Sequence, residues 1–188
     1  MLSLCAVFED WLLEDGTYPP LEKGQKVNLS FWIDLNEIKI EENNIYEFEQ
    51  IKYSEYNFCG KIIYKHPNHI IFDAGYFKFY TEKKDIVNIS VGQFIKGNGI
   101  LKVNPYIDWT EVLDKNKNRP DIFYNLIIDK IFELKTPEKY ITRKGGSESG
   151  PSSLPINEYI NVDKKEVIKT DSEGEFISYL LTLNFPST

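Results

Sequence analysis

Val27-Asn28-Leu29-Ser30-Phe31-Trp32-Ile33-Asp34 sets an apolar side chain at every second position. Val27, Leu29, Phe31 and Ile33 fall on one side, and Asn28, Ser30, Trp32 and Asp34 on the other. That is the period of a strand with one buried face, not of a helix. Upstream, the prolines of Tyr18-Pro19-Pro20-Leu21-Glu22-Lys23-Gly24-Gln25 forbid regular structure over that stretch, and its Gly24-Gln25 turn launches the strand. The opening stretch Leu4 to Leu13 reads equally as a short helix or a strand, ended by the turn signal Glu14-Asp15-Gly16.

Downstream, Ile38 and Ile40 continue the strand, and Asn43-Asn44 turns the chain. Ile45 to Tyr53 reads as a further strand whose faces are not cleanly apolar, the mark of an exposed or edge position. The most regular part follows. Phe58 to Tyr64, Ile70 to Phe72 and Tyr76 to Tyr80 are three strands joined by His66-Pro67-Asn68 and Asp73-Ala74-Gly75, a meander. Gly60, inside the first of them, marks a bulge or a close approach of backbone. Ile86 to Ile89, Gln93 to Lys96 and Ile100 to Val103 read as short strands, with Gly97-Asn98-Gly99 as a tight hairpin.

Asn104-Pro105 ends this ladder, and residues 115–120 form a polar loop. Asp121 to Tyr140 reads as a long strand; a helix over 121–134 capped by Asp121 is the alternative. Residues 144–155 are rich in Gly, Ser and Pro and are expected to be a flexible loop. Glu166 to Lys169, a turn at 171–174 and Phe176 to Phe185 suggest a C-terminal hairpin.

The expected fold is therefore mainly β: a small Greek-key, OB-like, partly open barrel with extra strands and that terminal hairpin. A single domain over residues 1–188 is expected, with a barrel core over about 27–104 and an extension over about 121–188. Composition agrees. Twelve Phe, twelve Tyr and three Trp against one Met favour a pleated surface over a helix.

Cys5 and Cys59 are too few for a disulfide framework and are expected as free thiols. The apolar start lacks a basic leader region, and no stretch approaches the roughly 18 apolar residues of a membrane span. A cytoplasmic location and no membrane partner are the expectation.

Motifs for chemistry are sparse. His66 and His69 have HxxH spacing, with Asp73 and Cys59 the nearest further ligands, but a turn histidine pair is ordinarily solvated, so neither metal nor cofactor is expected. No Gly-x-Ser-x-Gly elbow or Gly-Lys-Ser/Thr loop occurs. The carboxylate pairs Glu9/Asp10, Glu14/Asp15, Asp34/Glu37 and Glu41/Glu42 sit in turns without the separation glycoside hydrolysis needs. No catalytic residue is assigned.

Charge points toward binding. The net charge is −7, yet residues 1–60 carry 12 acidic and 4 basic side chains while residues 61–145 carry 10 acidic and 15 basic. Trp32, Glu37, Glu41, Glu42, Glu47 and Glu49, with Glu55 beyond, lie close in sequence. An aromatic on a polar face beside carboxylates has the composition of a binding hot spot. The first functional reading is a non-catalytic protein-binding module with an acidic face and a basic protein partner, its profile that of bacterial immunity or antitoxin proteins. The alternative is an OB-like binder of single-stranded nucleic acid using residues 61–145. There Tyr64, Tyr76, Phe77, Phe79 and Tyr80 interleave with Lys61, Lys65, Lys78, Lys83 and Lys84. Only two arginines against twenty lysines weaken that alternative.

Overall fold

A computed structural model of the chain describes residues 3–82, 89–104, 120–134, 162–165, 167–168 and 178–186. In chain order the elements are β1 (Ser3–Glu9), α1 (Trp11–Glu14), β2 (Leu21–Glu22), β3 (Lys26–Leu29), β4 (Phe31–Glu41), β5 (Glu47–Lys52) and β6 (Glu55–Lys65). There follow β7 (His69–Asp73), β8 (Lys78–Glu82), β9 (Phe94–Val103), β10 (Tyr124–Leu134), β11 (Val162–Lys165), β12 (Val167–Ile168) and β13 (Ser178–Asn184). The expected loops at 115–119 and 144–155, the strand at 86–88 and the turn at 171–174 lie outside the described residues.

The alternating run that decides the fold serves two layers. At Ser30 it breaks into β3, which pairs with β10, and β4, which pairs with β9. Ser30 is buried, and its carbonyl accepts the Asn104 N–H at 2.9 Å. The alternation carries on through the break, so Leu29, Phe31 and Ile33 all enter one buried cluster.

Five strands form the barrel, in the ring order β4-β8-β7-β6-β9 and back to β4. β6, β7 and β8 are the expected meander, and β9 returns beside β6, so the four make a Greek key. The ring is closed where the sequence reading left it partly open. Its narrow seam is the parallel bridge Trp32↔Tyr80, reinforced by the buried Thr81 hydroxyl, which donates to the Ile33 carbonyl at 2.8 Å. Among the described strands β5 pairs with β6 alone and ends the sheet.

Around Val103 the barrel passes into a second layer. β1 lies between β9 and β13, and β13 lies between β1 and β10. Phe8 and Leu4 from β1, Leu181 and Leu183 from β13, and Leu126 and Ile128 from β10 join Phe58, Phe72 and Phe79 of the barrel in the same buried cluster. A second joint is polar: the Cys5 N–H of β1 donates to the Tyr56 hydroxyl of β6 at 2.8 Å. Burial pushes the Tyr56 phenol above its ordinary titration range, so it stays neutral here.

Several expectations need correction or completion. Gly97-Asn98-Gly99 is not a hairpin; it lies inside β9, a single ten-residue strand rather than two short ones. The reason is steric. A Cβ on Gly99 would stand 2.5 Å from the Asp34 carbonyl oxygen, and one on Gly97 would meet the Glu37 carbonyl still more closely. The absent side chains let β4 press onto β9 as the sheet coils, where β4 also carries a bulge between Leu35 and Glu37. Gly60 has the same role, set against the Asp73 carbonyl. The terminal hairpin is replaced by longer-range pairs: β12 pairs with β2, and β13 with β1 and β10. Residues 121–134 contain the strand β10 and not the alternative helix, while Leu4 to Leu13 resolves into β1 and the single turn α1.

Gly97→Ala is expected to lower unfolding free energy by about 1–3 kcal/mol or more, because the contact is with backbone that cannot rotate away. Urea denaturation of the full chain measures this. A change under about 0.5 kcal/mol would show that β4 and β9 are not held so closely.

Candidate docking surface

Residues opposite one another in an antiparallel pair share a face. Register therefore reads out the outer surface of β4, β9, β6 and β5 row by row. Glu41, Phe94 and Lys61 form one row. Lys39, Lys96, Cys59 and Glu47 form the next, and Glu37, Asn98, Asn57 and Glu49 the third. Asp34, Ile100, Glu55 and Lys52 follow, with Trp32 and Lys102 beyond.

The folded chain thus brings Glu37, Glu41, Glu47 and Glu49 onto one face, with Glu55 beside them, and Glu42 is exposed just past the end of β4. Five lysines share that face: Lys39, Lys52, Lys61, Lys96 and Lys102. Linear spacing along β4 and β5 shows the glutamates; only the cross-strand register shows the lysines placed between them. The acidic side chains consequently form two flanks, on β4 and on β5, with lysine between.

Local hydrogen bonds fix several of these charges. Lys96 Nζ lies 3.2 Å from a Glu47 carboxylate oxygen, and that hydrogen bond holds the ammonium above its ordinary range. The Glu41 carboxylate accepts the backbone and side-chain N–H groups of Asn43, each at 3.1 Å, the backbone bond being the larger cause of its lowered pKa. Cys59 is buried beneath this row, and desolvation raises its thiol pKa, with the Glu41 charge adding to it. The third row differs. Glu37 and Glu49 are exposed, Asn98 and Asn57 stand half-buried between them, and no lysine interrupts. Three strand spacings, about 14 Å, separate its two carboxylates.

Trp32 lies on this same face, at the far end, and its ring is half-buried. It packs against Tyr64, Ile71, Tyr80 and Ile122. Lys102 Nζ sits 5.5 Å from its ring centroid, 3.1 Å from Asp34 and 3.7 Å from Glu9. Glu9 in turn accepts the Trp11 indole N–H at 2.6 Å. The Lys102 side chain is only 9% exposed, so one nearly buried ammonium ties β1, β4 and β9 together.

The aromatic set of the nucleic-acid reading is distributed differently. Phe77 and Phe79 lie in the core, Tyr64 and Tyr80 are buried, and Tyr76 alone of the five is exposed, at 79%. Lys83 and Lys84 fall outside the described residues. Outward-facing Tyr64 and Tyr80 are covered by Ile122 and Phe123, an arrangement that alternation within β6 and β8 does not reveal. His69 is buried between Tyr64 and Tyr80, with its ring 4.6 Å from that of His66. Asp73 stands at the opposite end of β7, where its carboxylate accepts the Gly75 N–H. Among the described residues no group of three His, Cys, Asp or Glu side chains converges on a metal-sized site. No helix among them is long and apolar enough to cross a membrane.

Lys102→Met should cost about 1–3 kcal/mol in urea unfolding, since Asp34 and Glu9 lose a nearly buried partner but keep partial contact with water. A cost near zero would mean that the pair is fully screened. The raised Cys59 pKa leaves less thiolate at pH 8 than free cysteine has. In a Cys5→Ser background, buried Cys59 should react with a disulfide reagent at least about tenfold more slowly than free cysteine, and its rate should go on rising to higher pH than that of free cysteine. A rate equal to that of free cysteine would mark an ordinary, accessible thiol. Comparison of the chain with protein-family models, with curated proteins and with solved structures finds no match to any of them.

Proposed function

We propose that the chain is a non-catalytic protein-binding module of the cytoplasm, docking a basic protein partner on the outer face of β4, β9, β6 and β5. The immunity-like or antitoxin-like profile drawn from composition fits this reading. The observation that carries it is the row Glu37-Asn98-Asn57-Glu49. Two exposed carboxylates flank two amides there without an intervening cation. Such a row offers acceptors to lysine or arginine at its ends and both donors and acceptors at its centre. The lysines in neighbouring rows narrow the attraction to partners whose cations match this spacing, since misplaced ones meet Lys39 or Lys96. Among the described residues, burial of Phe77, Phe79, Tyr64 and Tyr80 weighs against the nucleic-acid alternative, which would stack bases on them.

The test is retrieval by the tagged full chain of a stoichiometric partner from its own cell, followed by titration of the purified pair. Affinity should fall as salt rises, and Glu37→Lys with Glu49→Lys should weaken it by about tenfold or more. An affinity unmoved by the double reversal would overturn the reading. So would a salt-sensitive shift of a twenty-nucleotide oligothymidine by the purified chain.

A further inference from the structure

We infer that the open edge of β5 receives an extended basic segment of the partner as an added antiparallel strand. This rests on the docking reading above and supplies its mode of recognition.

β5 bonds to β6 on one side, and no described strand lies on the other. Natural edges are blunted by proline, by bulges or by lysine. Here the one bulge and Lys52 sit at the far end, between Gln50 and Lys52, leaving Glu47–Gln50 regular. Exposed apolar side chains bracket the strand. Ile45 is 60% exposed and Tyr46 49% before it, with Ile51 at 50% and Tyr53 at 41% at its end. These are four of the seven exposed large hydrophobic residues described. Backbone groups with no described strand beside them, flanked by partly exposed apolar side chains, are what strand addition uses.

Charge selects the occupant. Were a second copy to pair here antiparallel about Phe48, Glu47 would stand against Glu49, and like charges directly opposite are unfavourable. A strand with Lys or Arg at alternate positions meets the same two carboxylates favourably. Its intervening apolar residues fall beside Phe48, whose ring stacks on Tyr56 at 4.4 Å and on Phe79 at 4.7 Å. The edge therefore disfavours its own copy and favours a cationic strand.

The experiment uses the full chain and the acetylated, amidated heptapeptide Lys-Val-Lys-Val-Lys-Val-Lys. Two further versions carry N-methyl groups on every valine or on every lysine. N–H groups of alternate residues lie on the same edge of a strand, so a fixed side-chain orientation makes one methylated series tolerable and the other not. Strand addition predicts that one series binds about tenfold or more weaker than the parent while the other stays within about threefold. It also predicts that the parent slows hydrogen exchange of the amides in residues 47–50. Equal binding by all three peptides would overturn strand addition while leaving cationic docking intact. No binding of the parent at millimolar concentration would also overturn it. Charge reversal at Glu37, on β4 and away from this edge, then judges the docking reading separately.

Discussion

Ten residues of β9 must satisfy three neighbours. Phe94 to Val103 pairs with β4 along its whole length and with β6 up to Ile100, while β1 is reached at Lys102. A strand carrying full side chains at 97 and 99 would hold the Asp34 and Glu37 carbonyls away from it. The barrel would then not coil tightly enough to close at Trp32 and Tyr80. The outer face inherits its geometry from that closure, because β9 is the axis along which Lys96, Asn98 and Lys102 are presented.

Strand identity was legible where alternation or turn chemistry was strong. The run from Val27 to Asp34, the meander from Phe58 to Tyr80 and the edge character of β5 all follow from local pattern. Glycine was ambiguous. Gly97-Asn98-Gly99 has the residues of a primed turn and also those of a strand approached closely by a neighbour, and only the presence of β4 decides between them. The partner of a strand is still less local. Nothing within Val167-Ile168 indicates that it meets Leu21-Glu22 instead of the strand that follows it.

The surface was legible by half. Counting acids along β4 and β5 finds Glu37, Glu41, Glu47 and Glu49, because a strand places alternate residues together. It overlooks Lys61 and Lys96, which arrive on the same face from β6 and β9. Charge on a sheet is a two-dimensional property, and a sequence supplies one dimension. Trp32 illustrates the same limit: its polar neighbours in sequence do not reveal the buried cluster it packs against, which includes Ile122, ninety residues on.

The register of β1 has a temporal consequence. Ser3 lies opposite Asn184 and Glu9 opposite Ser178, so the first described strand is zipped to the last. During synthesis residues 3–9 leave the ribosome before residues 178–184 and wait for every residue between them before their main ladder exists. The Greek key of β6 to β9 needs no residue past Val103 for its own pairings and can assemble while that strand is still waiting. Long-range pairing of this kind folds slowly and exposes apolar edges meanwhile. Phe8 and Leu4, fully enclosed in the finished molecule, are the side chains a nascent chain must keep from straying.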